Sequence, residues 1–185
     1  MSNPLDSMDD KFLRYNLLLT QGIIVVFALV GSWFIHSWVS FTQLFHFPGW
    51  QPIGYAVLFA LVIVLISVGS EKIFPKSWVD DGEINQRIFR NLSFTRTALL
   101  CMIVGIAEEF LFRGVVQYWI GNGWTSVLFT LIHIRYLAKP LLLVMVFGTS
   151  YGLGSLFEAQ HSLLVPIIAH SLLDFLSALI IQRRR

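Results

Sequence analysis

Six apolar stretches, near 17–39, 52–70, 97–120, 123–137, 140–157 and 163–181, occupy most of this 185-residue chain. A hydrocarbon core of about 30 Å takes roughly 20 apolar residues per helical crossing. Stretches of that length, repeated this often, cannot all be hidden inside one soluble domain of this size. Composition agrees: apolar residues make up 56% and charged residues 13%, against about 25% charged in a typical soluble domain. The pattern predicts an all-α, polytopic membrane helix bundle with about six transmembrane helices, forming a single membrane domain over 1–185. The fourth stretch is short for a full crossing. With Gly121 and Gly123 at its start, it is expected to be tilted, re-entrant or broken.

The basic residues sort by connection. Lys11 and Arg14 precede the first stretch; Lys72, Lys76, Arg87, Arg90 and Arg96 follow the second; Arg135 and Lys139 follow the fourth; Arg183, Arg184 and Arg185 close the chain. The alternate connections, 40–51, 121–122 and 158–162, hold none, and Arg113 lies inside the third stretch. Cytoplasmic loops carry the excess of Lys and Arg, so a multi-pass protein of the cell membrane with both termini in the cytoplasm is expected. The first stretch is longer than a signal-peptide core and lacks a small-residue cleavage site, which makes it a retained span. The net charge of +2 thus reflects span ends rather than a nucleic-acid partner, and no phosphate-binding loop is present. Cys101, the single cysteine, forms no intrachain disulfide and reads as a small buried hydrophobe.

The connection 71–96 carries Asp80, Asp81 and Glu83 ahead of Ile84, Ile88 and Leu92 at four-residue spacing. An acidic start and an apolar stripe suggest a short helix on the cytoplasmic interface. The alternative is a solvated loop whose arginines hold anionic lipid.

Ionisable groups inside the spans are few: Glu108, Glu109, Arg113, His133, His170 and Asp174. Each costs about 2.5–3.5 kcal/mol at the bilayer centre on insertion scales. Glu109 with Arg113, and His170 with Asp174, are four apart and fit purely structural pairs. That leaves Glu108 and His133 unexplained. Glu108 and Glu109 point about 100° apart on a helix, so if Glu109 faces Arg113, Glu108 is free to face another helix. Phe129 and His133 share one face of the fourth stretch. A glutamate, two histidines and an aspartate meeting in one cavity make a water-activating site. Other residues read more plainly. His36, His46 and His161 fall near the non-cytoplasmic face as interfacial hydrogen-bonding groups, and Trp33, Trp38, Trp50 and Trp124 form an interfacial aromatic belt there.

Glu108-Glu109-Phe-Leu-Phe-Arg113 resembles the EExxxR motif of the CAAX-protease and bacteriocin-processing family of intramembrane proteases, also called the Abi family. Phe129-Thr-Leu-Ile-His133 resembles its FxxxH motif, and His170-Ser-Leu-Leu-Asp174 its HxxxN/D motif. Gly148 and Gly152 resemble its glycine-bearing helix, whose small residues suit close helix contact. The resemblance covers about 97–177, which is then the catalytic core.

The resemblance implies a glutamate-dependent endopeptidase acting on a membrane-associated protein or peptide. Glu108 would be the general base, His133 would help hold the water, Glu109 and Arg113 would orient the arrangement, and His170 with Asp174 would stabilise the oxyanion. Many family members carry asparagine at the position of Asp174. An ionised aspartate only accepts hydrogen bonds, so Asp174 either acts protonated or accepts from His170; the second is preferred because it neutralises a charge in the membrane. The resemblance leaves the cofactor open between none and a divalent metal such as zinc, for which Glu108, His133 and His170 are the candidate ligands. A non-proteolytic bacteriocin-immunity or partner-binding protein on the same scaffold is the alternative function. A small transporter is the third, but it predicts an internal repeat that the sequence lacks.

Overall fold

The computed structural model describes residues 9–35, 38–79 and 84–183. Among them the chain is almost wholly helical and contains no strand. In chain order the helices are α1 (Asp10–Ile35), α2 (Trp38–Gln43), α3 (Trp50–Ile73), α4 (Lys76–Val79), α5 (Ile84–Phe89) and α6 (Phe94–Leu111). A π-helical turn, Phe112–Val116, joins α6 to α7 (Gln117–Ile132). A 3-10 turn, Ile134–Tyr136, leads into α8 (Pro140–Gln160), and α9 (Leu164–Arg183) closes the fold. Local sequence sets several of these ends. The Ser93 hydroxyl accepts from the Arg96 amide at the start of α6, Pro140 opens α8 where its missing N–H costs nothing, and His161 ends α8 in the left-handed conformation at φ 51°.

The burial pattern is that of a membrane protein. Many of the fully buried side chains are small or polar, including Ala28, Ala56, Ala60, Ser150, Glu109 and Arg113, while many large apolar side chains, such as Leu65 and Phe27, lie exposed on the outside. Lipid solvates such an outer surface, and small residues let helices approach. α1, α3, α8 and α9 are each long and apolar enough to cross a bilayer. α9 packs against α3, α6 and α8; α1 covers α6; α7 lies along α8.

The third and fourth predicted spans form one interrupted unit rather than two clean crossings, so the count of six does not follow from helix length. Gly121, at φ 71° and ψ 169°, breaks α7. The Phe112 and Phe129 rings then lie 4.8 Å apart, whereas a continuous helix would separate them by about 25 Å. The chain therefore doubles back at Gly121, where a side chain would be strained. The returning piece, 122–132, is about 16 Å long at 1.5 Å per residue, near half a hydrocarbon core. It ends at His133, which is part-buried.

Two ends of the bundle are distinct. At one, Asp10 pairs with Arg87 at 3.1 Å, Arg14 donates to the Ile88 carbonyl at 3.1 Å, and Gln182 donates to the Phe89 carbonyl at 2.8 Å. At the other, the Leu163 amide donates to the Leu44 carbonyl and the Ser162 hydroxyl to that of His46, both at 2.7 Å. The basic-rich and basic-free connections are thus separated in space. The expected interfacial helix exists as α5, but Ile84 and Ile88 pack against Leu13 and Leu100 with Leu92 beside them. Its apolar stripe faces protein rather than lipid, because α1, α6 and α9 converge over it. Asp80, Asp81 and Glu83 lie outside the described residues, as do His36, Arg184, Arg185 and the Trp38 side chain.

Candidate active site

Helix α6 delivers two adjacent carboxylates to different neighbours. Glu109 points into the bundle and is completely buried. Its Oε2 lies 3.2 Å from Arg113 Nε, and its Oε1 accepts from His170 Nδ1 at 2.7 Å. Arg113 is 1% exposed, and its Nη2 donates to the Ser150 carbonyl at 2.7 Å and the Ser150 hydroxyl at 2.9 Å. Its guanidinium also lies over the Phe129 ring, 5.4 Å from the centroid. The arginine lies in the π turn, whose wider winding displaces side chains from the α-helical register. One charge-assisted chain, α9 to α6 to α8, thereby ties three helices together.

Glu108 faces the other way. Its Oε1 accepts from Gln21 Nε2 of α1 at 3.2 Å, and its Oε2 lies 4.0 Å from His170 Nε2. Asp174 Oδ2 lies 3.6 Å from the same nitrogen. That separation is too long for a hydrogen bond, so the expected support of His170 by Asp174 is supplied instead by Glu109, which takes the Nδ1 hydrogen. Gly105, one turn before Glu109, explains how α6 and α9 come this close: a β-carbon there would collide with the Ser171 hydroxyl, beside His170.

His133 lies 2.7 Å through Nδ1 from the Phe129 carbonyl. A carbonyl only accepts, so Nδ1 carries the hydrogen and Nε2 keeps its lone pair. The His133 ring packs on Phe129, centroids 4.7 Å apart, and stacks on Tyr136 at 5.8 Å; Phe129 also meets His170 at 6.3 Å. His133 thus joins the cluster through the Phe129 ring. The proposed metal set of Glu108, His133 and His170 does not fit. Among the described residues no three His, Cys, Asp or Glu side chains are placed to hold a metal ion.

The glycine expectation divides. Gly152 sits against the Phe59 ring of α3, whereas a β-carbon at Gly148 would meet no neighbouring helix within 4 Å; the close contact on α8 continues instead at Gly154, against Asn122 and Gln117. Trp33, Trp50 and Trp124 are exposed on the outside of the bundle, as an aromatic belt requires. His46 binds the Gln43 carbonyl and His161 caps α8. Two site partners, Gln21 and Ser150, escaped the sequence reading. Gln21 had a signal, an amide inside an otherwise apolar helix; Ser150 had none beyond standing between Gly148 and Gly152.

A family model described as type II CAAX prenyl endopeptidase Rce1-like matches residues 90–176. An uncharacterized protein, YpbD, of Bacillus subtilis (strain 168) is 36% identical over 152 residues, covering 82% of this chain and 80% of that protein. No solved structure matches the chain.

Proposed function

The chain belongs to the Rce1-like family, and from that premise we propose that it is an intramembrane endopeptidase that hydrolyses a peptide bond of a membrane-associated protein or peptide with water activated by Glu108. The observation that carries this reading is the division of labour between adjacent carboxylates. Glu109 is locked between Arg113 and His170 at 3.2 and 2.7 Å, while Glu108 keeps Oε2 clear of the arginine on the His170 side.

In the reaction Glu108 takes a proton from water as the water oxygen bonds to the scissile carbonyl carbon. The carbonyl electron pair moves onto oxygen, and His170, oriented through Nδ1 by Glu109, presents Nε2–H to that oxyanion. Collapse of the tetrahedral intermediate expels the amine nitrogen, which receives the proton from Glu108. His133, with Nδ1 fixed on the Phe129 carbonyl, offers the Nε2 lone pair to the water. The catalytic core is the segment 97–177. The family description makes a prenylated CAAX-type peptide the first substrate to try, beside a library of transmembrane peptides. Purified protein in liposomes is expected to cleave a member of one set, and cleavage is expected to survive a zinc chelator because no three described His, Cys, Asp or Glu side chains are placed to hold the ion. No cleavage of either set contradicts the function; chelator sensitivity contradicts the metal-free route.

The protein works in a bilayer, as a multi-pass protein of the cell membrane with both termini cytoplasmic. Reporters fused after Arg96, Lys139 and Arg185 are expected to report the cytoplasm, and those near Trp50 and His161 the opposite side. A non-cytoplasmic signal after Arg96 would reverse the orientation.

A further inference from the structure

Gln21 stands in an apolar helix about 16 Å from its first residue at 1.5 Å per residue, and it is 3% exposed. An amide at that depth is costly unless it has work to do. Its Nε2 donates to Glu108 Oε1 at 3.2 Å, while its own Oε1 is buried with no hydrogen-bond partner. The side chain is therefore engaged on the Glu108 side and unsatisfied on the other, which is a poor arrangement for simple glue between helices. Gln21 also lies outside residues 90–176, where the family's motif-bearing segment is matched.

We propose that Gln21 is a positioning residue for the catalytic base, which makes α1 a working wall of the active site. Its N–H occupies Glu108 Oε1 and fixes the carboxylate plane, so that Oε2, on the His170 side, is the oxygen that takes the proton from water. Among the described residues no second side-chain hydrogen bond holds Glu108, and Arg113 is held by Glu109 and Ser150. Without the amide the carboxylate rotates, and the fraction of time spent in attack geometry falls. This inference rests on the reading of Glu108 as the base.

The test is steady-state cleavage of the farnesylated CAAX-type peptide, or of whichever transmembrane peptide the wild type cleaves, by wild type, Glu108→Gln, Gln21→Met and Gln21→Glu in liposomes. Met matches the length of Gln without a donor, and Glu replaces the donor with a second carboxylate. Both variants are expected to lose about 10- to 100-fold in kcat, the worth of one hydrogen bond to a charged group. KM is expected to stay within about twofold and the melting temperature near that of the wild type. Normal kcat in Gln21→Met, with Glu108→Gln inactive, overturns the inference and leaves the proposed function standing. A melting temperature that falls in step with kcat, or failure of both variants to fold, assigns Gln21 to packing and also overturns it. No cleavage by wild type, or normal cleavage by Glu108→Gln, removes the proposed function and this inference with it.

Discussion

Glu109→Ala is expected to destabilise the protein by about 3–5 kcal/mol and to abolish cleavage, the largest stability effect of any single change in the site. The substitution strands Arg113, which is fully buried and has Glu109 as its carboxylate partner at 3.2 Å, and it frees the imidazole that Glu109 holds at 2.7 Å. Removing one member of a buried charge pair costs more than the pair contributes, because the remaining charge is left without compensation. The double variant Glu109→Leu with Arg113→Met is therefore expected to melt above either single variant while remaining inactive, since it leaves no lone charge. Thermal unfolding of the detergent-solubilised proteins measures both. A Glu109→Ala protein that melts like the wild type would contradict the network.

Glu108→Gln is expected to behave in the opposite way, losing about 10²- to 10⁴-fold in kcat with little change in melting temperature. Glutamine keeps the shape and can still meet the Gln21 amide, and no buried cation depends on Glu108 as Arg113 depends on Glu109. The amide cannot accept a proton from water, so the chemical step fails while the fold stands. Kinetics and melting curves on the same preparations separate the two glutamates. Equal losses of stability in both variants would erase the distinction.

The helical, membrane-embedded class was legible because lipid solvation leaves a direct mark, long apolar runs with basic residues at alternate ends. The split between Glu108 and Glu109 was also legible, from helical angle alone. The break at Gly121 was legible as one of the alternatives, from a short apolar run that starts on two glycines, although the reversal itself rests on one residue's dihedral angles. Two features were not. The burial of Ile84 and Ile88 against α1 and α6 depends on which neighbour covers the stripe, which its spacing does not specify. The partner of His170 was assigned to Asp174 by four-residue spacing within α9, whereas Glu109 of α6 wins because Gly105 lets the two helices touch. Local periodicity ranks partners within a helix, and contacts between helices overrule it.

The central claim is that Glu108 activates water for attack on a peptide bond. Cleavage carried out in water enriched in oxygen-18, with the products read by mass spectrometry, tests it most directly. The account predicts a new carboxyl terminus carrying one solvent oxygen from the wild-type protein and no such product from Glu108→Gln under the same conditions. Labelled product from Glu108→Gln at the wild-type rate, or its absence from the wild type, would contradict it.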